Sequence, residues 1–267
     1  MSEMSLSEQL LHTTIRIETD TGTGTGFFFD FSKDKEERAL PVLVTNKHVV
    51  KGASTGQLVF SWLVENGMPI QKKHSVVIDS FQNYWLQHPE ANVDLCVLPL
   101  APIVKSVEER DGISLFYKSL SRDLIPSETT IEDLSDMEEV TMIGYPNGLW
   151  DSHNGLPIVR RGLTATSYRY DYQGKPEFVI DAACFPGSSG SPILVFNQSS
   201  YATQKGINIG SRLLFLGVLH SGPVMNARGE IKLATPITPY VETGIMINLG
   251  IAVKARKLLD FDAVLGI

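Results

Sequence analysis

Short apolar runs of β type recur along the chain, and glycine, proline and asparagine separate them. Runs spaced in this way are typical of all-β folds, either barrels or sandwiches. In the first part of the chain the predicted strands are 14–18, 27–31, 40–45, 57–64, 74–79 and 94–99. In the second part they are 138–144, 158–168, 177–183, 192–196, 213–219 and 231–235. The pattern therefore predicts an all-β chain with two successive sets of strands.

A more charged and irregular stretch lies between the two sets, and we interpret it as the connection between two lobes of one domain. Short helices are predicted near both ends, over 5–12 and 248–259, because apolar side chains there can share one side of a helix. The predicted divisions are an N-terminal helical arm (1–13), a first β lobe (14–100), a linker (101–136), a second β lobe (137–245) and a C-terminal helix (246–267).

The 267-residue chain carries a net charge of −7, which gives no electrostatic support to a role in binding nucleic acid. The basic patches at 160–161 (RR) and 254–257 (KARK) are short and are interpreted as solvated faces. No apolar run reaches the length of about 18 residues that a membrane-spanning helix needs. The predicted partners therefore include neither nucleic acid nor a membrane.

The chain has two cysteines, Cys96 and Cys184, and both are interpreted as small buried core residues. So low a count favours a reducing compartment, and residues 1–5 (MSEMS) lack the basic start and apolar stretch of a secretory signal. We therefore expect a cytoplasmic protein. The cysteine and histidine spacings fit no zinc pattern, so neither a metal nor another cofactor is predicted.

Residues 187–192 (GSSGSP) place a serine, Ser189, on a tight turn between two glycines. Backbone N–H groups can converge on one oxygen at such a turn, which suits a nucleophile that lies beside an oxyanion hole. Serine–glycine clusters also form ordinary turns, so this motif needs companions before it indicates catalysis.

A serine nucleophile needs a base, usually a histidine that a carboxylate orients. His48 lies where an apolar β-type run gives way to a turn, whereas a solvated position suits the other candidates better, namely His12, His74, His88 and His153. Asp94 opens the apolar run 94–100 (DLCVLPL). It is either a solvent-facing turn residue or a buried carboxylate that accepts a hydrogen bond from the imidazole.

Three segments together resemble the chymotrypsin-like (trypsin-like) serine peptidases, above all the bacterial HtrA-type branch. Residues 45–50 (TNKHVV), 92–98 (NVDLCVL) and 181–192 (DAACFPGSSGSP) resemble its histidine, aspartate and serine blocks, in the family's order. Two further segments, 23–28 (TGTGFF) and 143–146 (IGYP), add to a resemblance that spans about residues 14 to 240. No segment resembling a PDZ domain follows residue 260.

The resemblance implies two six-stranded antiparallel β-barrels with short terminal helices and one peptidase domain overall. It implies that Ser189 is the nucleophile, His48 the base and Asp94 its orienting carboxylate, with an oxyanion hole formed by the backbone N–H groups of Gly187 and Ser189. Ser188 stands where the digestive branch has the aspartate that pairs with a new N-terminus. Activation by N-terminal clipping is therefore not expected, and the hole must be organised in another way.

The resemblance also implies where a substrate side chain is bound. Ala183, Cys184, Phe185 and Pro186 form one predicted wall; a second consists of Leu219, His220, Ser221 and Gly222; the segment 233–235 forms a third. Because Ala183 occupies the pocket base, where no acidic residue is found, an apolar or small side chain is the expected preference. His220 is either a specificity residue, a core histidine or a support for Asp94.

The sequence thus predicts a serine endopeptidase with a polypeptide substrate. Two alternatives remain open: a catalytically silent trypsin-like module that binds peptides or scaffolds partners, and an enzyme whose oxyanion hole forms only with a regulatory protein partner, an oligomer or a stress signal. The loop 145–155 (YPNGLWDSHNG) is rich in turn residues and either shapes the cleft or is a plain surface loop.

Overall fold

The computed structural model describes residues 4–31, 40–63, 69–203, 206–230 and 240–267. Strands dominate the described ranges and form two lobes. None of the helices in these ranges is long and apolar enough to cross a membrane. The predicted strand at 231–235 and the predicted pocket wall at 233–235 lie outside the described residues.

The first lobe is built on a nine-stranded sheet. Its strands are β1 Thr14–Thr19, β2 Gly22–Asp30, β3 Pro41–Thr45, β4 Thr55–Leu63, β5 Pro69–Asp79, β6 Leu86–Gln87, β7 Cys96–Pro99, β8 Leu115–Phe116 and β9 Leu120–Ser121. The hydrogen-bonded order is β5-β4-β1-β2-β3-β7-β6, with β8 beside β4 and β9 parallel to β2. Within the described ranges this path is open, so closure of this lobe into a six-stranded barrel stays a prediction.

The second lobe is a closed six-stranded barrel with the order β10-β11-β12-β19-β16-β13. Two hairpins, β14–β15 and β17–β18, are inserted between barrel strands. In chain order the strands are β10 Glu139–Gly144, β11 Ile158–Thr164, β12 Glu177–Asp181, β13 Pro192–Asn197, β14 Ser200–Thr203, β15 Gly206–Ile209, β16 Arg212–Ser221, β17 Val224–Glu230, β18 Tyr240–Met246 and β19 Leu249–Lys254.

The predicted C-terminal helix over 246–267 is wrong in its first half. Leu249–Lys254 is strand β19, which pairs with both β12 and β16 and so closes the barrel. Helical structure begins only afterwards, as a 3₁₀ helix over Ala255–Phe261 and a short helix, α5, over Asp262–Leu265. The apolar spacing of residues 249–254 also fits a helix. As a strand, however, this segment forms backbone hydrogen bonds with β12 on one side and β16 on the other.

The predicted linker is partly a component of the first lobe. The α-helices that precede α5 in the described ranges are α1 Leu6–Leu10, α2 Lys47–Val50, α3 Ala101–Asp111 and α4 Glu128–Asp133. After α3, the strands β8 and β9 join the first sheet, because Leu115, Phe116 and Leu120 are apolar and bury their side chains there. The first lobe therefore extends beyond its predicted boundary at residue 100.

An aromatic core joins the two lobes. Phe27 and Phe29 of β2 pack against Phe215 of β16, with ring centroids 5.3 and 6.1 Å apart, and all three rings are fully buried. Burial of a side chain of this size contributes roughly 1.5–3 kcal/mol. The described contacts thus hold β2 and β3 of the first lobe against β13 and β16 of the second, and the candidate site lies at this junction.

Candidate active site

Antiparallel pairing in the first lobe brings His48 and Asp94 together. In the ladder between β3 and β7, Thr45 lies opposite Cys96. Residues 46–48, which follow β3, and residue 94, which precedes β7, therefore lie at the same end of this strand pair. The Asn46 side-chain amide donates a hydrogen bond to the Asp94 carbonyl oxygen, with an N–O distance of 2.8 Å. The chain then turns into α2, where the buried Val50 anchors the turn that carries His48.

The Asp94 carboxylate makes two hydrogen bonds with His48, one with the imidazole ring and one with the backbone N–H. Its Oδ2 lies 2.6 Å from His48 Nδ1, and its Oδ1 accepts the His48 backbone N–H at 3.1 Å. Partial burial acts to raise the pKa of Asp94, but these hydrogen bonds and the charge that His48 can carry outweigh it, so the pKa is lowered. An ionised Asp94 accepts a hydrogen bond from the Nδ1–H group, which leaves Nε2 as the free basic nitrogen.

Ser189 lies on a turn that is hydrogen-bonded to Thr25 of the first lobe. The Thr25 backbone N–H donates to the Ser189 carbonyl oxygen at 2.9 Å, and the Gly190 N–H donates to the Leu219 carbonyl oxygen at 2.8 Å. Gly190 has φ +89°, and a Cβ there would lie 1.9 Å from the Thr25 carbonyl oxygen, so only glycine fits. The turn that carries Ser189 is therefore held from both lobes.

The Ser189 hydroxyl does not engage His48 in the described structure. Its Oγ donates to the His220 carbonyl oxygen at 3.4 Å, and no hydrogen bond among the described residues joins it to the imidazole. Hydrogen bonds between a nucleophile and its base are often long without substrate and tighten when it binds. The resting arrangement thus has an assembled His–Asp pair and a serine that is not yet paired with it.

Two backbone N–H groups at the Ser189 turn are available for an oxyanion. Residues 185–188 form a turn in which the Ser188 N–H donates to the Phe185 carbonyl oxygen at 3.0 Å and Gly187 has φ +85°. Proline second and glycine third are the residues of a type II turn. Among the described residues, the N–H groups of Gly187 and Ser189 have no hydrogen-bond acceptor, so both predicted donors are free.

The orientation of the Gly187 N–H is set by a residue that the sequence did not single out. The Asn147 backbone N–H donates to the Pro186 carbonyl oxygen at 2.5 Å. Because the peptide between Pro186 and Gly187 is planar and trans, its N–H points away from that carbonyl and hence away from Asn147. Asn147 donates from a left-handed conformation, with φ 51°. The Asn-Gly dipeptide at 147–148 was the available signal, since it marks turns that need positive φ.

Thr25 is a second residue whose role the sequence did not reveal. Its hydroxyl donates to the Gly187 carbonyl oxygen at 2.9 Å and accepts the Tyr145 backbone N–H at 3.0 Å. It therefore ties together the first lobe, the serine turn and the loop 145–155. This loop is thus more than a plain surface loop at its first residues, which contact the serine turn directly.

We predict that the left-handed turn at Asn147 is needed for the oxyanion hole. Asn147→Val should lower the rate of labelling by a fluorophosphonate probe by about 10²–10³-fold, because a β-branched residue disfavours positive φ and loss of one donor of an oxyanion hole lowers the rate by that factor. Asn147→Gly should label at the wild-type rate, since glycine adopts this conformation freely. A folded Asn147→Val protein, checked by circular dichroism, that labels as fast as wild type would contradict the prediction.

The predicted pocket walls differ in accessibility. Ala183, Phe185, Ser221 and Gly222 are partly accessible and Pro186 is exposed, whereas Cys184 and Leu219 are buried in the core of the second lobe. Burial raises the pKa of the Cys184 thiol to about 11, so it stays protonated at neutral pH. The predicted assignment of both cysteines as buried, unpaired core residues is confirmed.

His220 lies in a bulge of β16 with its ring against Glu177 of β12. Its Nε2 is 3.5 Å from Glu177 Oε1, and both side chains are more than four-fifths buried. Burial lowers the pKa of His220, and the negative charges of Glu177 and Asp94 act in the opposite direction. The ring of His220 thus contacts Glu177, while its backbone carbonyl oxygen accepts the Ser189 hydroxyl. The sequence offered no signal for Glu177, which is 43 residues away along the chain.

Together these features define a class: a mostly β protein with a closed barrel and a His–Asp pair and a serine turn at the junction of two lobes. The sequence profile of the trypsin-like peptidase domain matches residues 24–199, which is most of the chain. The chain therefore belongs to the trypsin-like peptidase family, and the resemblance noted in the sequence is confirmed. No curated protein sequence matches it.

Several solved structures are similar to the chain at low identity. A serine-to-alanine mutant of Rv3671c from M. tuberculosis H37Rv, in an inactive form, has 16% identity and a TM-score of 0.43 over 95% of this chain and 86% of its own. The Rv3671c protease in an inactive form has 15% identity and a TM-score of 0.42 over 96% and 90%. The HtrA-type protease AlgW with a decapeptide has 13% identity and a TM-score of 0.42, over 96% of this chain and 64% of that one.

Proposed function

We propose that this protein is a serine endopeptidase with the triad Ser189, His48 and Asp94. The observation that carries the proposal is the pair of hydrogen bonds from His48 to Asp94, 2.6 Å from the ring and 3.1 Å from the backbone. These bonds leave His48 Nε2 as the base. Family membership supports a polypeptide as the substrate. The proposal includes closure of the first lobe as the family's other barrel.

In the acylation step, the Ser189 hydroxyl attacks the substrate carbonyl carbon while His48 Nε2 takes its proton. The substrate carbonyl oxygen becomes negatively charged, and the N–H groups of Gly187 and Ser189 donate hydrogen bonds to it. Neither N–H group has another acceptor within the described chain. His48 then gives the proton to the leaving amine, and the peptide C–N bond breaks. Water, activated by His48, attacks the acyl-enzyme and releases Ser189. The end of β16 at Ser221, with the following Gly222, is suited to pairing with the substrate backbone.

A second candidate, a gated form of the same enzyme, is favoured by one observation. Ser189 Oγ donates to the His220 carbonyl oxygen at 3.4 Å instead of pairing with His48. A rotation about the Ser189 side chain would be needed before proton transfer. If the resting protein is inactive, a regulatory protein partner or a bound peptide would supply that change. A module that binds peptides without cleaving them is the remaining alternative.

Labelling with a fluorophosphonate probe tests the proposal, because the probe phosphonylates an activated serine, with loss of fluoride, without requiring knowledge of the substrate. We expect wild-type protein to be labelled, peptide mass spectrometry to map the adduct to Ser189, and His48→Ala to abolish labelling. Folded wild-type protein that is labelled neither when purified nor in lysate would contradict the proposal. Labelling in lysate alone would identify the gated form.

A further inference from the structure

Arg160 and Arg161 are neighbours on β11 with different environments. Side chains alternate along a strand, and the structure leaves Arg161 69% exposed, with its guanidinium 2.6 Å from Glu139 Oε2. Arg160 is half-buried, and its guanidinium lies over the Phe185 ring, 5.0 Å from the centroid. The prediction that both form a solvated face therefore holds for Arg161 and is wrong for Arg160.

Arg160 lacks the partners that the other arginines with described side chains have. Arg16, Arg110, Arg122, Arg161, Arg212 and Arg256 each pair with a carboxylate, and Arg169 donates to two carbonyl oxygens. Within the described ranges Arg160 has neither an ion pair nor a hydrogen bond, and its buried Nε has no acceptor. A half-buried cation without hydrogen bonds is costly, and such a group calls for an explanation.

The position of Arg160 suggests that explanation. Phe185 begins the turn that presents Gly187 and Ser189, so the stacked cation lies beside the wall that leads to the oxyanion hole. The charge of Arg160 also reaches Cys184 in the same wall, where it opposes the rise in pKa that burial causes. A guanidinium binds a carboxylate through two parallel N–H donors, so an anion fits this place better than a neutral group.

We propose that Arg160 binds the carboxylate of an aspartate or glutamate side chain close to the scissile bond, so that the enzyme selects acidic peptides. This rests on the proposed function and adds to it the chemical class of the substrate. It differs from the apolar or small preference expected at Ala183, because Arg160 acts from the side of Phe185 and not from the pocket base. The cation–π contact with Phe185 holds the guanidinium in place before the substrate arrives.

The test compares internally quenched peptides, amidated at the C-terminus, that carry Glu, Gln or Lys at each position around the cleavage site. For wild type we expect kcat/KM to favour Glu over Gln by about 10–100-fold at one position, the value of a hydrogen bond between charged groups. Arg160→Gln should abolish this preference, and Arg160→Glu should replace it with a preference for Lys. The matched control Arg161→Gln, on the same strand but paired with Glu139, should keep the wild-type profile.

A wild-type enzyme that cleaves peptides without favouring Glu, or an Arg160→Gln enzyme that still favours it, would overturn the proposal. Discrimination that appears only with free C-terminal carboxylates would overturn it as well, because the ligand would then be the chain terminus. If the wild type is not labelled by fluorophosphonate, the proposed function fails separately. Fluorescence anisotropy then measures how tightly the same Glu and Gln peptides bind to Ser189→Ala and to Ser189→Ala/Arg160→Gln. This comparison decides whether Arg160 binds a carboxylate.

Discussion

Replacing Ser189 with alanine is expected to lower peptide hydrolysis by about 10⁶-fold while the protein remains folded. The alanine removes the only oxygen that can form the acyl bond, yet the turn is held by backbone groups that alanine keeps. These are the Ser189 carbonyl oxygen, which binds Thr25, and the Gly190 N–H, which binds Leu219. The measurement is the initial rate of cleavage of fluorescent casein, with thermal unfolding to confirm the fold.

Ser188→Ala is the matched control for this prediction. Ser188 is 1% exposed and its Oγ has no hydrogen-bond partner among the described residues, so its hydroxyl has no part in the proposed reaction. We expect the control to cleave casein at close to the wild-type rate. If Ser188→Ala were inactive and Ser189→Ala active, the wrong serine would have been assigned.

Asp94→Asn is expected to lower the labelling rate and hydrolysis by about 10⁴-fold with little change in structure. Asparagine is of similar size, and the Asp94 carbonyl oxygen that binds Asn46 is unaffected. An amide N–H₂, however, can donate to His48 Nδ1, which moves the ring proton to Nε2 and removes the base. Nitrogen NMR of the imidazole would detect the change of tautomer alongside the loss of rate.

The pH dependence follows from the lowered pKa of Asp94. Its carboxylate keeps its charge in the folded protein at acidities where an unfolded chain would bind a proton, so it stabilises the fold above its unfolded pKa. That stability is lost as the pH falls through the lower, folded pKa, and Asp94→Asn should lack this part of the acid transition.

An Asp94→Asn protein that labels within tenfold of wild type would contradict the orienting role.

Local sequence patterns predict much of the strand structure. The aspartate and histidine segments do lie side by side, because each adjoins a strand of the same antiparallel ladder. Five of the six predicted strands of the second lobe overlap barrel strands, since alternation of apolar residues is a short-range signal. The sixth barrel strand, Leu249–Lys254, was mistaken for a helix because its apolar spacing suits either structure.

The family, the strand-rich class and the three segments proposed as the triad can be predicted from the sequence, because each depends on residues that are contiguous in the chain. The groups around these segments are seen only in the folded protein: Thr25 and Asn147 at the Gly187 turn, Glu177 at His220, and Arg160 over Phe185. These contacts join residues that are distant along the chain, and strand pairing and lobe packing bring them together. Hydrogen bonding and burial stabilise such contacts only after the chain has paid the entropy of bringing its distant parts together, so no local pattern predicts them.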